Sequence, residues 1–298
     1  MEFIMTIGLS GSGKTTWARN YTKEHDNCVM FDSDAIRGML WNDENDQQNP
    51  AKVFDTMYRC TCDALSRGQS VIYCATNLNM KYRIRTLSML RAKFPETTFR
   101  CVIFNTPIAT CKEWNNARAW RGGRGLPEFV IDKQARQFQF PVENEGWDNI
   151  SIVSPSIYET VRFNKNMWKD VDAAGSQDNP HHTLTLKDHL NATISNIDLS
   201  SFHHDKEMIE ILVAAAIHDV GKAYTRSYDD KGVAHYFGHE GYGAYIAMNM
   251  GVPITTIQLV NYHMLPFNAA GINTWRVRLG EELWNKIMIL HAADVKAK

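Results

Sequence analysis

The sequence predicts two domains of different class: an α/β domain built on a parallel sheet with helices on both faces, followed by an all-α domain. Three observations carry this. Short β-rich runs alternate with helix-length segments through the first half of the chain. Beyond about residue 180 the apolar spacing turns helical and convincing strands disappear. Chemistry divides the same way, since ten of the eleven histidines lie in residues 151–298 and all six cysteines in residues 1–150.

Length supports two domains, because 298 residues exceed the ~100–200 typical of one domain. With 32 Lys+Arg against 33 Asp+Glu, 44% hydrophobic and 11% aromatic residues, the composition excludes disordered, collagen-like and low-complexity classes. The longest apolar stretch, Ile211 to Ile217, is far short of the ~18 residues a membrane span needs. Phe3 to Leu9 runs directly into a glycine-rich loop, as a first strand does and a secretory leader does not. Cysteines without a C-x-x-C pair indicate reduced thiols and a cytoplasmic location. Neither half is strongly basic, but residues 81–136 hold 12 Lys/Arg and 4 Asp/Glu, enough to neutralise several phosphates if they share one face.

In the first domain, placed at residues 1–165, strands are expected at Phe3–Leu9, Cys28–Phe31, Ser70–Cys74, Phe99–Asn105 and Ile150–Val153. Between the first strand and a helix starting near Thr16, Gly8-Leu9-Ser10-Gly11-Ser12-Gly13-Lys14-Thr15 fits G-x-x-x-x-G-K-[ST]. Its backbone N–H groups, from Gly11, Ser12 and Gly13 through Thr16, suit the phosphates of ATP or another nucleoside triphosphate. Lys14 neutralises charge on the β/γ oxygens and the Thr15 hydroxyl ligates Mg²⁺. After the second strand, Asp34 and Arg37 share one helix face. They suit a general base and a grip on an acceptor phosphate, or else a helix cap and a surface charge. Arg118, Arg121 and Arg124 are interleaved with Gly122, Gly123 and Gly125, a composition suited to a closing lid.

The turn-rich stretch Ala-Ala-Gly-Ser-Gln-Asp-Asn-Pro ending at Pro180 marks the connection, with the boundary near 165–178 and the second domain at 166–298. There His218-Asp219 closes an apolar helix, with His189 upstream and His239, His263 and Asp294 downstream. Imidazole nitrogen with carboxylate oxygen suits Mn, Fe, Co, Ni or Zn.

The run Thr6-Ile7-Gly8, Gly11-Ser12-Gly13-Lys14, Thr16-Trp17-Ala18-Arg19, then Asp34-x-x-Arg37, Thr76-Asn77-Leu78-Asn79 and the Arg-Gly segment with Pro127 resembles bacteriophage polynucleotide 5′-kinases over about 150 residues. The resemblance implies that Asp34 activates a 5′-hydroxyl, that Arg37 contacts the neighbouring phosphate, and that Arg121 is the lid arginine acting on the donor. Ala75 departs from the acid those enzymes carry before the Thr-Asn-Leu-Asn run. The order H…HD…H…H…D resembles the HD phosphohydrolases, with Pro180-His181-His182 as entry. By that resemblance His189, His218, Asp219 and Asp294 hold one metal, His239 and His263 serve a second, activated water attacks phosphorus, and Lys222 neutralises a phosphate oxygen.

Together the halves resemble the HD-containing polynucleotide kinases that repair RNA. This implies a 5′-hydroxyl kinase and a metal-dependent 2′,3′-phosphohydrolase acting on RNA, or DNA, ends alongside an RNA ligase, with no membrane partner. The phosphatase signature Asp-x-Asp-Gly-Thr is absent, so the HD domain stands in its place. A small-molecule or nucleoside kinase fused to a nucleotide-degrading HD domain is the alternative, and a nucleotide-switched binder the third reading.

Overall fold

In the computed structural model, the described residues are 1–154, 167–180, 183–202, 204–268 and 270–297. The chain packs as two compact units, Met1–Gln134 with Glu145–Ser156, and Ala135–Asn144 with Ile157–Lys298. The 165/166 division expected from sequence lies outside the described residues. Within the expected first domain, residues 135–144 pack with the second unit. No change of composition marks that segment. Its Phe138 and Phe140 are as apolar as any strand core, and only their partners decide where they go.

The first unit holds a parallel sheet of β1 (Glu2–Ile7), β2 (Cys28–Asp32), β3 (Ser70–Cys74), β4 (Thr98–Phe104) and β5 (Asn149–Val153), ordered β2-β3-β1-β4-β5. Register runs Ile4 to Ile72 and Ile4 to Arg100, so β1 is flanked on both sides. These strands read as apolar runs because both faces are covered. On one face Ile4, Ile72, Val102 and Phe104 pack with Ala18 from α1 (Lys14–Glu24); on the other Phe3 meets Tyr73 and Phe99. The remaining helices are α2 (Ser33–Trp41), α3 (Pro50–Ser66), α4 (Met80–Lys93), α5 (Ile108–Trp120) and α6 (Glu128–Arg136). In a parallel sheet every strand delivers its following loop to the same edge, so the loops after β1, β2 and β3 meet there.

The second unit is helical: residues 167–174 (α7), α8 (Leu186–Ser195), α9 (Asp205–Ile217), α10 (Lys222–Thr225), α11 (His239–Asn249), α12 (Ile254–Tyr262), α13 (Ile272–Leu279) and α14 (Glu281–Lys296). Among the described residues one strand pair interrupts it, β6 (Ser227–Tyr228) against β7 (Ala234–His235), which sequence analysis did not foresee. Two residues cannot display a period of two, so the signal does not exist. The stretch Ile211 to Ile217 is the buried end of α9, and no helix among the described residues is long and apolar enough to cross a membrane.

Candidate active sites

In the first unit the phosphate-binding sequence forms a loop from β1 into α1. Gly11 takes φ +81°, and a Cβ there would lie 2.2 Å from the Cys111 carbonyl oxygen, so only glycine fits. The loop tip is pinned by Gln134, whose Oε1 accepts from Ser10 N at 2.8 Å while its Nε2 donates to Ser10 Oγ at 3.0 Å. Lys14 is buried and donates to Gly8 O, Leu9 O and Ser12 Oγ at 3.0, 2.6 and 3.2 Å. Burial lowers its pKa, with the thiols and carboxylates nearby working the other way. The Thr15 hydroxyl donates to Asp32 Oδ2 at 3.0 Å.

Asp32 is also the cap of α2, accepting from Asp34 N and Ala35 N at 2.8 and 3.1 Å. That leaves the Asp34 carboxylate free of capping duty. Arg37, its side chain only 8% exposed, donates Nη1 to Asp34 Oδ1 at 2.6 Å. Burial lowers the Arg37 pKa, opposed by Asp34. Of the three arginines around the Gly-rich segment, Arg124 is the one that reaches Asp34, at the same Oδ1. Arg118 bonds Asn115 Oδ1 at 3.3 Å, and Arg121 is exposed without an ion pair among the described residues. One cleft of about 770 Å³ is lined by Gly11, Ser12, Gly13, Lys14, Thr15, Thr16, Asp34, Arg37 and Arg121, with Arg19, Asp32 and Arg124. This combination of backbone donors and cations suits a polyphosphate.

Behind the cleft lies a fully buried ion pair. Arg83 donates Nε to Glu145 Oε2 at 2.7 Å and Nη2 to Glu145 Oε1 at 2.6 Å, while Nη1 reaches the carbonyls of Asn77 and Leu78, each at 3.0 Å. Asn77, at φ +47°, donates Nδ2 to Thr6 O at 2.8 Å. The Thr76–Asn79 segment is therefore fastened to β1, and Thr76 O accepts from Gly8 N at 3.1 Å. Within the basic window 81–136, Arg83, Arg91 and Arg100 pair with Glu145, Asp148 and Glu2 from outside it.

In the second unit six side chains converge. His189 comes from α8, His218 and Asp219 from the end of α9, His239 from the start of α11, His263 from the end of α12 and Asp294 from α14. All six are buried. Asp219 joins two groups: Oδ2 lies 3.2 Å from His189 Nε2 and 3.5 Å from His218 Nε2, and Oδ1 lies 3.1 Å from His239 Nε2 and 3.3 Å from His263 Nε2. Asp294 Oδ1 is 3.2 Å from His189 Nε2. Gly221 permits the close approach of α11, since a Cβ there would lie 2.0 Å from His239 O.

Each imidazole places Nδ1 on a backbone carbonyl, Ala297, Ala215, Tyr236 and Val260 for His189, His218, His239 and His263, at 2.6, 3.0, 2.8 and 2.7 Å. A carbonyl only accepts, so Nδ1 carries the proton and Nε2 of the neutral ring is bare. Bare Nε2 atoms then face one another at 3.2 Å for His189 and His218 and 3.3 Å for His239 and His263. Asp219 Oδ1 is buried with no hydrogen-bond partner among the described residues. Such a set is repulsive unless positive charge sits within it, and two groups, His189-His218-Asp219 and Asp219-His239-His263, have the spacing to hold metal ions. The residues fit a divalent metal. Burial would raise the Asp219 pKa, yet Lys222, whose Nζ lies 2.5 Å from Oδ2, and the imidazoles hold it well below the usual range.

Residues 3–141 match the family described as AAA domain, and residues 182–297 match the HD domain family. The chain joins a P-loop kinase fold to an HD domain. No curated protein matches it. Among solved structures it is similar to a chain of the Pnkp1/Rnl/Hen1 RNA repair complex (24% identity, 46% of this chain and 43% of that one, TM-score 0.38) and to a fungal RNA kinase (14%, 58% and 44%, 0.38). It is also similar to a gluconokinase from Sinorhizobium meliloti 1021 (16%, 56% and 96%, 0.36). The chain spans less than half the length of the first two.

Sequence reading missed several residues of both domains. In the kinase domain these are Asp32, Gln134, the Arg83–Glu145 pair and the contact of the lid residue Arg124 with Asp34; in the HD domain, Gln177, whose Oε1 accepts from Lys222 Nζ at 3.0 Å. Asp32 had a signal, an acid at a strand end directly before a helix. The others meet partners 45 or more residues away, beyond any local pattern. His181 and His182 lie outside the described residues.

Proposed function

We propose that this chain heals broken nucleic-acid ends, transferring the γ-phosphate of a nucleoside triphosphate to a 5′-hydroxyl and releasing 2′,3′-cyclic or terminal 2′/3′ phosphate in the HD domain. One observation carries the kinase half: an uncapped carboxylate, Asp34, shares the phosphate cleft with the P-loop and is bonded to a buried arginine. A proton acceptor beside an anion grip suits an acceptor that presents a hydroxyl next to a phosphate, as a polynucleotide 5′ end does. Asp34 then takes the hydroxyl proton, Arg37 holds the adjacent phosphate, Lys14 and the loop N–H groups hold the donor, and Arg121 reaches the transferring group. Thr15 supplies a hydroxyl to Mg²⁺. With Ala75 in place of an acid, Asp34 itself orients Arg37.

In the HD domain His189, His218, Asp219 and Asp294 would hold one metal and His239, His263 and Asp219 a second. The metal supplies Lewis-acid activation of water and phosphate. Lys222, paired with Asp219, would neutralise a phosphate oxygen. Arrangement of the carbonyls behind each Nδ1 keeps the four rings in their ligating tautomer.

The decisive assay incubates an RNA oligomer bearing 5′-OH and 2′,3′-cyclic phosphate with ATP, Mg²⁺ and a transition metal, then measures the mass at both ends. Gain of phosphate at the 5′ end with its loss at the 3′ end is expected. Phosphorylation of free nucleosides or sugars in preference to the oligomer would replace this reading with a metabolite kinase.

A further inference from the structure

Helix α5 turns one face to the phosphate cleft. Trp114, Ala117, Arg118 and Arg121 all line it, at the i, i+3, i+4 and i+7 spacing of one helix side. Trp114 stands over the loop, its Cζ3 3.5 Å from where a Cβ on Gly13 would be. It is 40% exposed, unlike the buried rings of the sheet, and the ring contacts of this unit are made by other residues. A large ring kept out of the core and held against a phosphate cleft is a surface for another ring.

We propose that Trp114 is the stacking wall for the base of the triphosphate donor. The proposal rests on the reading of the P-loop as a nucleoside triphosphate site. Phosphates held by the Gly11–Thr15 N–H groups leave the nucleoside at the loop's outer side, where Gly13 and Trp114 meet. Stacking accepts any base, because every base has a π face. On this face of α5 the next residue along, Ala117, offers no polar side-chain atom to read a base edge, and Arg118 spends Nη2 on Asn115. The donor site is therefore broad, taking ATP, GTP, CTP and UTP alike.

Calorimetric titration of the full chain with each of the four triphosphates, and with inorganic tripolyphosphate, in Mg²⁺ tests this on wild type, Trp114→Ala and Trp114→Phe. Trp114→Ala should weaken all four nucleotides by between about fivefold and about 150-fold, the range that base–aromatic stacking supplies, and leave tripolyphosphate unchanged. Trp114→Phe should bind nearly as wild type. Unchanged ATP affinity in Trp114→Ala, equal weakening of tripolyphosphate, or a wild type that takes only one base would overturn the proposal. A wild type that binds neither nucleotide nor tripolyphosphate would instead overturn the P-loop reading beneath it.

Discussion

Asp32 and Asp34 lie two residues apart at the end of β2, and their surroundings separate their chemistry. Asp32 is spent on the α2 cap and the Thr15 hydroxyl, whereas Asp34 faces the cleft with Arg37 and Arg124. Asp34→Asn should abolish 5′ phosphorylation while ATP affinity stays within error, measured by oligonucleotide kinase assay and calorimetry. Parallel loss of ATP binding would show that the carboxylate serves the donor instead. Arg121→Ala should lower the kinase rate roughly 10³-fold, as loss of an arginine that stabilises transition-state charge does. Arg124→Ala should act on acceptor KM, because its contact is with Asp34; steady-state kinetics with a 5′-OH oligomer tell the two apart. In the HD domain, Asp219→Ala should eliminate phosphate release and spare the kinase, since Asp219 is the residue common to both ligand groups.

At the scale of elements, the Arg83–Glu145 pair ties α4 and the loop after β3 to the segment before β5. Glu145→Gln leaves a buried guanidinium without its counter-charge. Its cost should be about 3–5 kcal/mol, the range for breaking one half of a buried pair, visible as a lower urea midpoint for the kinase domain. A change under ~1 kcal/mol, as expected of a surface pair, would mean that solvent reaches Arg83. This pair also marks what the sequence could show. The five strands were legible because burial on both faces writes itself as an apolar run. The P-loop was legible because its chemistry is local. Arg83 read as one more cation in a basic window, since nothing near it in the chain announces Glu145, and Asp34 taken with Arg37 alone read first as a helix cap, the position that Asp32 holds.

For the whole molecule, the six HD ligands were legible by type and order, but that Asp219 is shared between two groups is a property of five helices converging. Ligand binding to the folded state alone stabilises it, by about 2.7 kcal/mol at a hundredfold excess over Kd. A strong chelator should therefore lower the thermal midpoint of the HD domain, on the order of 10 °C for a domain of this size, and abolish phosphate release, while kinase activity returns on adding Mg²⁺ alone. Scanning calorimetry with and without Zn²⁺ or Mn²⁺ checks this. An unmoved midpoint would mean that the imidazole cluster holds no ion.

The chain enters the second unit twice. Asn261 accepts from Phe140 N through Oδ1 at 2.6 Å and donates to Phe138 O at 3.0 Å, and Tyr262 donates to Phe140 O at 2.5 Å. Five residues after Phe140, Glu145 is back in the first unit against Arg83. The chain therefore crosses between the units more than once, and no single cut yields both of them whole. A fragment of residues 1–165 carries Phe138 and Phe140 away as bare aromatic surface, prone to aggregate. A fragment of residues 166–298 takes from Asn261 its bonds to Phe138 and Phe140 and leaves Nδ2 only the Glu240 carbonyl at 3.3 Å, next to the end of the helix that presents His263. Separating the units without loss would take three cuts in the chain, one at each crossing between them.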